Sequence, residues 1–145
     1  MIYTQEPAHF NPKFEVVSCF VECNGEILLL HRQDHKPQGN TWGLPAGKVD
    51  EGEDPLETIQ REVEEETGLA VFPHNFHYLG KVYVRYPEYD FLFHIFHTTL
   101  EQKQTITINP NEHKNFIWIL PQQILTLPFI GDLDTCVKLF YPHLF

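Results

Sequence analysis

Apolar and polar positions along the chain divide it into short strand-like stretches around one helix-like stretch. Residues 14–23 and 26–31 are rich in β-branched, aromatic and aliphatic side chains. Between them lies Asn24-Gly25, a pair preferred in tight type I′ turns because both central positions take a positive φ. The pattern therefore predicts a β-hairpin, followed by a polar loop over residues 33–41.

The spacing of apolar positions becomes helical over residues 55–67. Asp54 can cap the helix, Pro55 fits its first position, and Gly68 is typical of the residue just past a helix end. Apolar side chains at helical spacing are predicted to form the buried stripe of this helix: Leu56, Ile59 and Val63.

The rest of the chain returns to a strand-like pattern. Further strands are predicted over residues 76–86, 89–100 and 116–120, and one or two short helices after Pro121. Strands on both sides of an internal helix, with antiparallel hairpins, indicate a mixed α+β (or α/β) sandwich. Because no repeat and no linker is visible, we expect a single domain over residues 1–145.

The charge of the chain is concentrated in one segment. The 145 residues include 20 acidic and 10 basic side chains, a formal net charge of −10. Nine acidic residues and one base, Arg61, lie between Asp50 and Glu66, so this segment carries −8 of the −10. An acidic chain without a run of Lys and Arg does not fit duplex nucleic acid or an anionic membrane surface. No apolar run reaches the roughly 18 to 20 residues of a membrane span.

The cysteines and the first residues bear on the cellular compartment. Cys19, Cys23 and Cys136 are an odd count without a disulfide framework, and we expect them to be reduced thiols in the core. Residues 1–11 lack the basic and apolar regions of a signal peptide. A cytoplasmic location is the resulting expectation.

Three carboxylates share one face of the predicted helix. At spacings of three and four residues, Glu62, Glu65 and Glu66 fall within roughly a third of the helix circumference. Like charges at these spacings repel by a few tenths of a kcal/mol per pair, a cost that a bound cation removes. Hard divalent ions such as Mg²⁺ take oxygen ligands of this kind. A solvated acidic face is the alternative that these three residues alone leave open.

The surrounding sequence favours the metal site over the solvated acidic face. Residues 47–69 fit the spacing G-x₅-E-x₇-R-E-U-x-E-E-x-G-U, in which U is aliphatic, at every specified position. The matching residues are Gly47, Glu53, Arg61, Glu62, Val63, Glu65, Glu66, Gly68 and Leu69. The stretch resembles the loop–helix–loop motif of the Nudix (MutT-like) hydrolases. The resemblance implies an α/β/α sandwich with a mixed β-sheet, and it is weakest at residues 1–13 and 121–145.

The resemblance also implies roles for residues of the motif. It implies a Mg²⁺ (or Mn²⁺) site with these ligands: Gly47 through its carbonyl, Glu62, Glu65 and Glu66. It further implies that Arg61 orients the site, with Glu53 as its salt-bridge partner or as an outer metal ligand. Stabilisation of the helix through Glu57, four residues earlier, is an equal and compatible role for Arg61.

The reaction implied by the resemblance is attack of water on a diphosphate. Bound metal ions neutralise phosphate charge and lower the pKa of a water molecule, and a carboxylate acts as general base. Family members place this base on the helix, where Glu62 and Glu65 are candidates, or on a later loop. Glu112 resembles that loop glutamate and is a candidate for base or additional metal ligand. An exposed loop glutamate is its alternative.

Residues outside the motif must select the substrate. Arg32 and Lys48 are candidates for phosphate contacts, and Tyr86 is a candidate for stacking a base; surface or core positions are the alternatives. The expected function is Mg²⁺-dependent cleavage of a diphosphate bond in a nucleoside di- or triphosphate. A dinucleoside polyphosphate or ADP-ribose hydrolase and a non-catalytic nucleotide sensor are the alternatives. The expected partner is a small nucleotide, and a homodimer is left open because dimers are common in the fold.

Overall fold

The hairpin forms where the sequence predicts it. In the computed structural model, which describes residues 1–144, Asn24 has a φ of 53° and Gly25 a φ of 80°. Cys23 pairs with Glu26 directly across this turn. The positive φ values are those of a type I′ turn, whose twist matches that of the two strands it joins.

An eight-stranded sheet forms the centre of the fold. Its strands are β1 (Ile2–Tyr3), β2 (Pro12–Cys23), β3 (Glu26–Arg32), β4 (Trp42–Gly43), β5 (Ala46–Lys48), β6 (His77–Arg85), β7 (Asp90–Thr99) and β8 (His113–Ile119). The spatial order is β1-β6-β7-β2-β3-β4, with β5 also paired to β2 and β8 to β3. The β2–β7 pair is parallel and the other pairs are antiparallel, so the sheet is mixed.

The last strand is longer than the sequence pattern predicts. It begins at His113, three residues before the predicted start at Phe116. Pairing with β3 continues past an irregularity in register, so that His113 lies opposite Arg32. Polar residues extend this strand because backbone pairing, which the side-chain pattern does not reveal, continues there.

Two α-helices pack on the sheet: α1 (Pro55–Thr67) and α2 (Leu133–Phe140). The bounds of α1 agree with the prediction; the Asp54 carboxylate accepts from the backbone N–H of Glu57 at 2.9 Å, and Gly68 ends the helix with a φ of 76°. After Pro121, where one or two short helices are predicted, the described residues form α2 and two 3₁₀ helices, Pro121–Thr126 and Pro142–Leu144; Phe145 lies outside the described residues. Within residues 1–144, every helix is too short or too polar to cross a bilayer.

Each face of the sheet has its own apolar core. Alternate side chains of β2 point to opposite faces, as strand geometry requires: Cys19 packs in the cluster with Ile59 and Val63 of α1, and Phe20 packs in the cluster with Val137 of α2. The layers are therefore helix, mixed sheet and helix, which confirms the predicted sandwich. All three cysteines are free and buried.

The buried stripe of α1 differs from the predicted one at Leu56. This side chain is 36% exposed, whereas Ile59 and Val63 are fully buried. Thr58 and Thr67 are buried in its place, and their hydroxyls donate to backbone carbonyls one turn earlier in the helix. Because a buried hydroxyl with a partner costs little, the buried face of α1 can include polar residues that a count of apolar positions misses.

Replacement of Ile59 by Ala should therefore destabilise the fold far more than replacement of Leu56 by Ala. For Ile59→Ala we expect a loss of about 2–5 kcal/mol in the free energy of unfolding, because the change leaves a cavity in the core. For Leu56→Ala we expect about 1 kcal/mol or less, because much of the side chain is already in water. Urea unfolding of both variants measures the difference; equal losses would contradict the burial assignment.

Candidate functional site

The one base of the acidic segment, Arg61, lies among four carboxylates. Its Nε and Nη2 each donate to an oxygen of Glu53 at 2.9 Å, a two-pronged pair. Its Nη1 donates to Glu62 Oε1 at 2.8 Å and to Glu65 Oε2 at 3.3 Å. Nη2 also lies 3.2 Å from Asp50 Oδ2. A single guanidinium thus links the loop before α1 to the acidic face of the helix.

These contacts favour the charged forms of Glu53 and Arg61. The hydrogen bonds from Arg61 lower the pKa of Glu53 to about 2, and the same pair raises the pKa of Arg61 above its usual value. The loop is also tied together by the Glu53 carboxylate, which accepts from the backbone N–H of Asp50 and the hydroxyl of Thr58. The helical neighbour that Arg61 pairs with is Glu65, one turn later, rather than Glu57.

Two glutamates of α1 are held partly or wholly away from water. Burial raises the pKa of Glu62, against the lowering effect of Arg61. Burial, with the nearby charge of Glu62, raises the pKa of Glu66 well above its usual range. The backbone N–H of Ala46 donates to Glu66 Oε2 at 3.3 Å and partly compensates this cost. Both side chains therefore gain from any positive charge that reaches them.

Gly47 brings backbone against one of these carboxylates. A Cβ built on Gly47 would lie 2.2 Å from Cδ of Glu62, a distance that real atoms do not reach. The backbone of β5 can approach α1 this closely only because residue 47 has no side chain. The motif therefore requires glycine at position 47, because any side chain there would collide with the Glu62 carboxylate.

The donors present fit a hard divalent ion. Within residues 1–144, no three His, Cys, Asp or Glu side chains converge into a ready-made cage. Mg²⁺ is usually held by one or two carboxylates together with waters and substrate phosphates, so an open face of oxygen donors suits it. The residues that could hold the ion are Glu62, Glu65 and Glu66, with the carbonyl of Gly47 beside Glu62.

A cavity of about 390 Å³ lies beside this acidic face. Five of the predicted site residues line it: Arg32, Gly47, Lys48, Glu66 and Tyr86. The other five lie outside its lining: Glu53, Arg61, Glu62, Glu65 and Glu112. Of the three helix carboxylates, Glu66 is thus the one that joins the acidic face to the cavity.

Glu112 lies close to the cavity without lining it. Its carboxylate pairs with Lys36 Nζ at 2.9 Å, and its side chain is 40% exposed. The next residue, His113, is buried and lines the cavity. Burial, with Arg32 nearby, lowers the pKa of His113 to about 4, so its ring is neutral at neutral pH. Glu112 also lies near enough to Glu66 for its charge to raise the pKa of that carboxyl.

The sequence did not single out most of the residues on the cavity's apolar side. In addition to Tyr86, this side contains Phe14, Tyr89, Phe91 and Phe93. These four residues are named here the aromatic group. The rings of Phe14 and Phe91 stack with centroids 5.2 Å apart, although these residues lie on β2 and β7, far apart in the chain. The parallel β2–β7 pairing brings them together, and no local pattern predicts that pairing. Asp132 also lines the cavity.

The Arg61–Glu53 pair predicts how stability depends on pH. The pKa of Glu53 is about 2 in the folded protein against an ordinary value of 4.5, so its stabilising effect is present above about pH 4.5 and is lost as the pH falls towards 2. Glu53→Gln should therefore lower the urea midpoint at neutral pH, and the gap to wild type should shrink on acidification. Glu51→Gln, at an exposed position of the same loop, is the control. A gap that stays constant with pH would rule out this account.

Comparison with known proteins places the chain in a family. A family model described as the NUDIX domain matches residues 12–140. CTP pyrophosphohydrolase of Escherichia coli (strain K12) is 28% identical over 122 residues, which are 79% of this chain and 81% of that protein. Among solved structures, the MutT protein from Methanosarcina mazei Go1 has a TM-score of 0.78 at 24% identity, over 91% of this chain and 95% of that one. The NUDIX domain of Shewanella oneidensis NrtR complexed with ADP ribose has a TM-score of 0.77 at 19% identity, over 98% and 95%. The chain belongs to the Nudix family and is a hydrolase of phosphorus-containing anhydrides.

Proposed function

We propose that this protein cleaves the diphosphate bond of a nucleoside di- or triphosphate, with Mg²⁺ (or Mn²⁺) bound at the acidic face of α1. The observation that carries this proposal is the cavity, which combines one buried carboxylate, Glu66, with two cationic side chains and the aromatic group. Such a cavity offers charge for a polyphosphate and apolar surface for a base. The resemblance to an enzyme named for CTP hydrolysis supports the same substrate class.

The two ends of the cavity differ in chemistry. Ala46, whose N–H meets Glu66, pairs with Ser18 of β2, and Phe14 of the aromatic group lies four residues earlier on the same strand. At about 3.3 Å per residue these positions are roughly 13 Å apart. A nucleotide can therefore place its phosphates near Glu66 and its base against the rings.

Arg32 is the cationic side chain of the cavity lining that suits the phosphate end, since its charge acts on Glu66. Arg32 donates through Nε to the carbonyl of Pro37 at 2.9 Å, which fixes its position and leaves its terminal nitrogens to face an anion. Lys48 lies with Nζ 4.3 Å from the centre of the Phe14 ring, which places its charge at the aromatic end, and its side chain would have to swing away from this ring to contact a phosphate near Glu66. A bound Mg²⁺ would supply neutralisation of phosphate charge and a more acidic water.

The glutamates divide the remaining tasks. Glu62 and Glu65, paired with Arg61, hold the acidic face in place, and Glu53 anchors Arg61 from the preceding loop. A carboxylate of the helix, Glu62 or Glu65, or Glu112 from the loop before β8, can take a proton from the attacking water.

Removal of single carboxylates tests the assignment of the acidic face. We expect Glu62→Gln, Glu65→Gln and Glu66→Gln each to lower Mg²⁺-dependent turnover of a nucleoside triphosphate by about 10²-fold or more. The melting temperature should change little, because each change relieves repulsion between like charges and the main partner of Arg61, Glu53, is kept. Glu64→Gln, on the exposed side of the same helix, should keep wild-type activity. Wild-type rates in the three variants would remove the proposed metal site.

The role of Glu112 has its own test. If Glu112 takes part in the reaction, Glu112→Gln should lower turnover by about 10²-fold, the size typical of general acid–base catalysis. Asp34→Asn is a matched control, since Asp34 forms a similar surface pair with Lys114 nearby. A rate for Glu112→Gln within about threefold of wild type would make Glu112 a plain surface residue that pairs with Lys36.

A further inference from the structure

The loop between β3 and β4, residues 33–41, is held at both ends. Near its start, the backbone N–H of Gln33 donates to the carbonyl of Glu112 at 3.0 Å. Near its end, the side-chain oxygen of Gln38 accepts from the backbone N–H of Gly131 at 2.7 Å, and Gln38 lines the cavity. The loop backbone is thus anchored beside Glu112 and beside the cavity, and its side chains are positioned relative to both.

Two lysines form ion pairs between this loop and residues 112–114. Lys36 Nζ lies 2.9 Å from Glu112 Oε2, and Lys114 Nζ lies 2.6 Å from Asp34 Oδ1. The Lys36 pair is partly exposed, with 27% of the lysine side chain and 40% of the glutamate side chain open to water. Ion pairs exposed to this degree contribute little to stability, so an anion of higher charge can displace Glu112 from Lys36.

The Lys36–Glu112 pair lies beside the cavity. Each partner is close in the chain to a residue of the cavity lining, since His113 follows Glu112 directly and Gln38 lies two residues after Lys36. Burial is the main cause of the low pKa of His113, and the positive charges of Arg32 and Lys36 lower it further. The ammonium group of Lys36 is therefore within electrostatic reach of the phosphate end of the cavity.

The ion pair opposes the function proposed for Glu112. A carboxylate bound to an ammonium group is a weaker base and a weaker metal ligand, because the cation stabilises its charged form. The lysine side chain has a flexible four-carbon stem and a compact charge, so it can change partner without movement of the loop backbone. A polyphosphate in the cavity carries more negative charge than one carboxylate and attracts this ammonium group more strongly.

We propose that Lys36 binds a substrate phosphate and thereby releases Glu112. Without substrate, the ammonium group of Lys36 neutralises the Glu112 carboxylate. With substrate, it moves to a phosphate oxygen, and Glu112 becomes available for the reaction. Lys36 thus makes the availability of Glu112 depend on a polyphosphate in the cavity. The inference rests on the proposed function in that it takes the substrate to be a polyphosphate and gives Glu112 a part in the reaction.

Binding of inorganic pyrophosphate tests the phosphate contact. Lys36→Met removes the charge and keeps the apolar stem. Calorimetry with pyrophosphate at saturating Mg²⁺ should show at least about tenfold weaker binding to Lys36→Met than to wild type, the loss expected for one charge-assisted hydrogen bond. Lys36→Arg, which keeps the charge, should restore most of the affinity. Lys114→Met, which breaks the matched pair with Asp34, should bind pyrophosphate as wild type does.

Binding of Mg²⁺ alone tests the release of Glu112. Calorimetry without any phosphate should show at least about threefold tighter binding of Mg²⁺ to Lys36→Met than to wild type, because the freed carboxylate adds an oxygen ligand. A purely structural role of Lys36 would not produce this gain. The gain should be absent in Lys114→Met, and it should disappear when Lys36→Met is combined with Glu112→Gln.

These binding measurements separate the inference from the proposed function. If no nucleoside triphosphate is hydrolysed but Lys36→Met weakens pyrophosphate binding and strengthens Mg²⁺ binding, the proposed function fails and the exchange of partners by Lys36 stands. Three results would overturn the inference even if triphosphates are hydrolysed. They are an unchanged or absent affinity for pyrophosphate, an unchanged affinity of Lys36→Met for Mg²⁺, and a gain in Mg²⁺ affinity that persists in the double variant with Glu112→Gln.

Discussion

The acidic face of α1 holds together because one guanidinium is shared among several carboxylates. Arg61 pairs with Glu53 in the preceding loop and with Glu62 and Glu65 on the helix. This shared charge fixes the loop against the helix, and β5, the strand just before that loop, brings Gly47 into contact with Glu62. The geometry of the whole Nudix motif therefore depends on the balance between one strong cation and a surplus of negative charge.

Glu66 has the opposite environment. It lies outside the reach of Arg61, is buried, and has a backbone N–H as its partner. Two nearby carboxyl groups thus have opposite environments: Arg61 lowers the pKa of Glu53 in the loop, and burial raises the pKa of Glu66 on the helix. Environments that separate the pKa values of nearby acids are typical of functional sites. The helix thus combines carboxylates paired with Arg61 and one buried carboxyl group that has no cationic partner among the described ion pairs.

Local signals made much of the fold predictable. The turn at Asn24-Gly25, the bounds of α1 and the motif spacing all depend on residues close together in the chain. The prediction from sequence was wrong or incomplete where contacts between distant segments determine the structure. Leu56 is exposed while two threonines share the buried face of α1, and the aromatic side of the cavity forms because β2 pairs with β7. The partner of Asp132, the phenol of Tyr86, lies 46 residues away, so no spacing rule could indicate it.

The parallel pairing of β2 with β7 also bears on how the protein folds. Cys19 lies opposite Phe96 in this pair, and the helix α1 falls in the chain between the two strands. Contacts so distant in sequence form slowly, because a long loop must close before they are gained. During synthesis the hairpin and the acidic helix can exist before β7 has left the ribosome, but the two halves of the aromatic group cannot yet meet. The acidic face is therefore encoded early in the chain, and the aromatic side of the cavity is completed late.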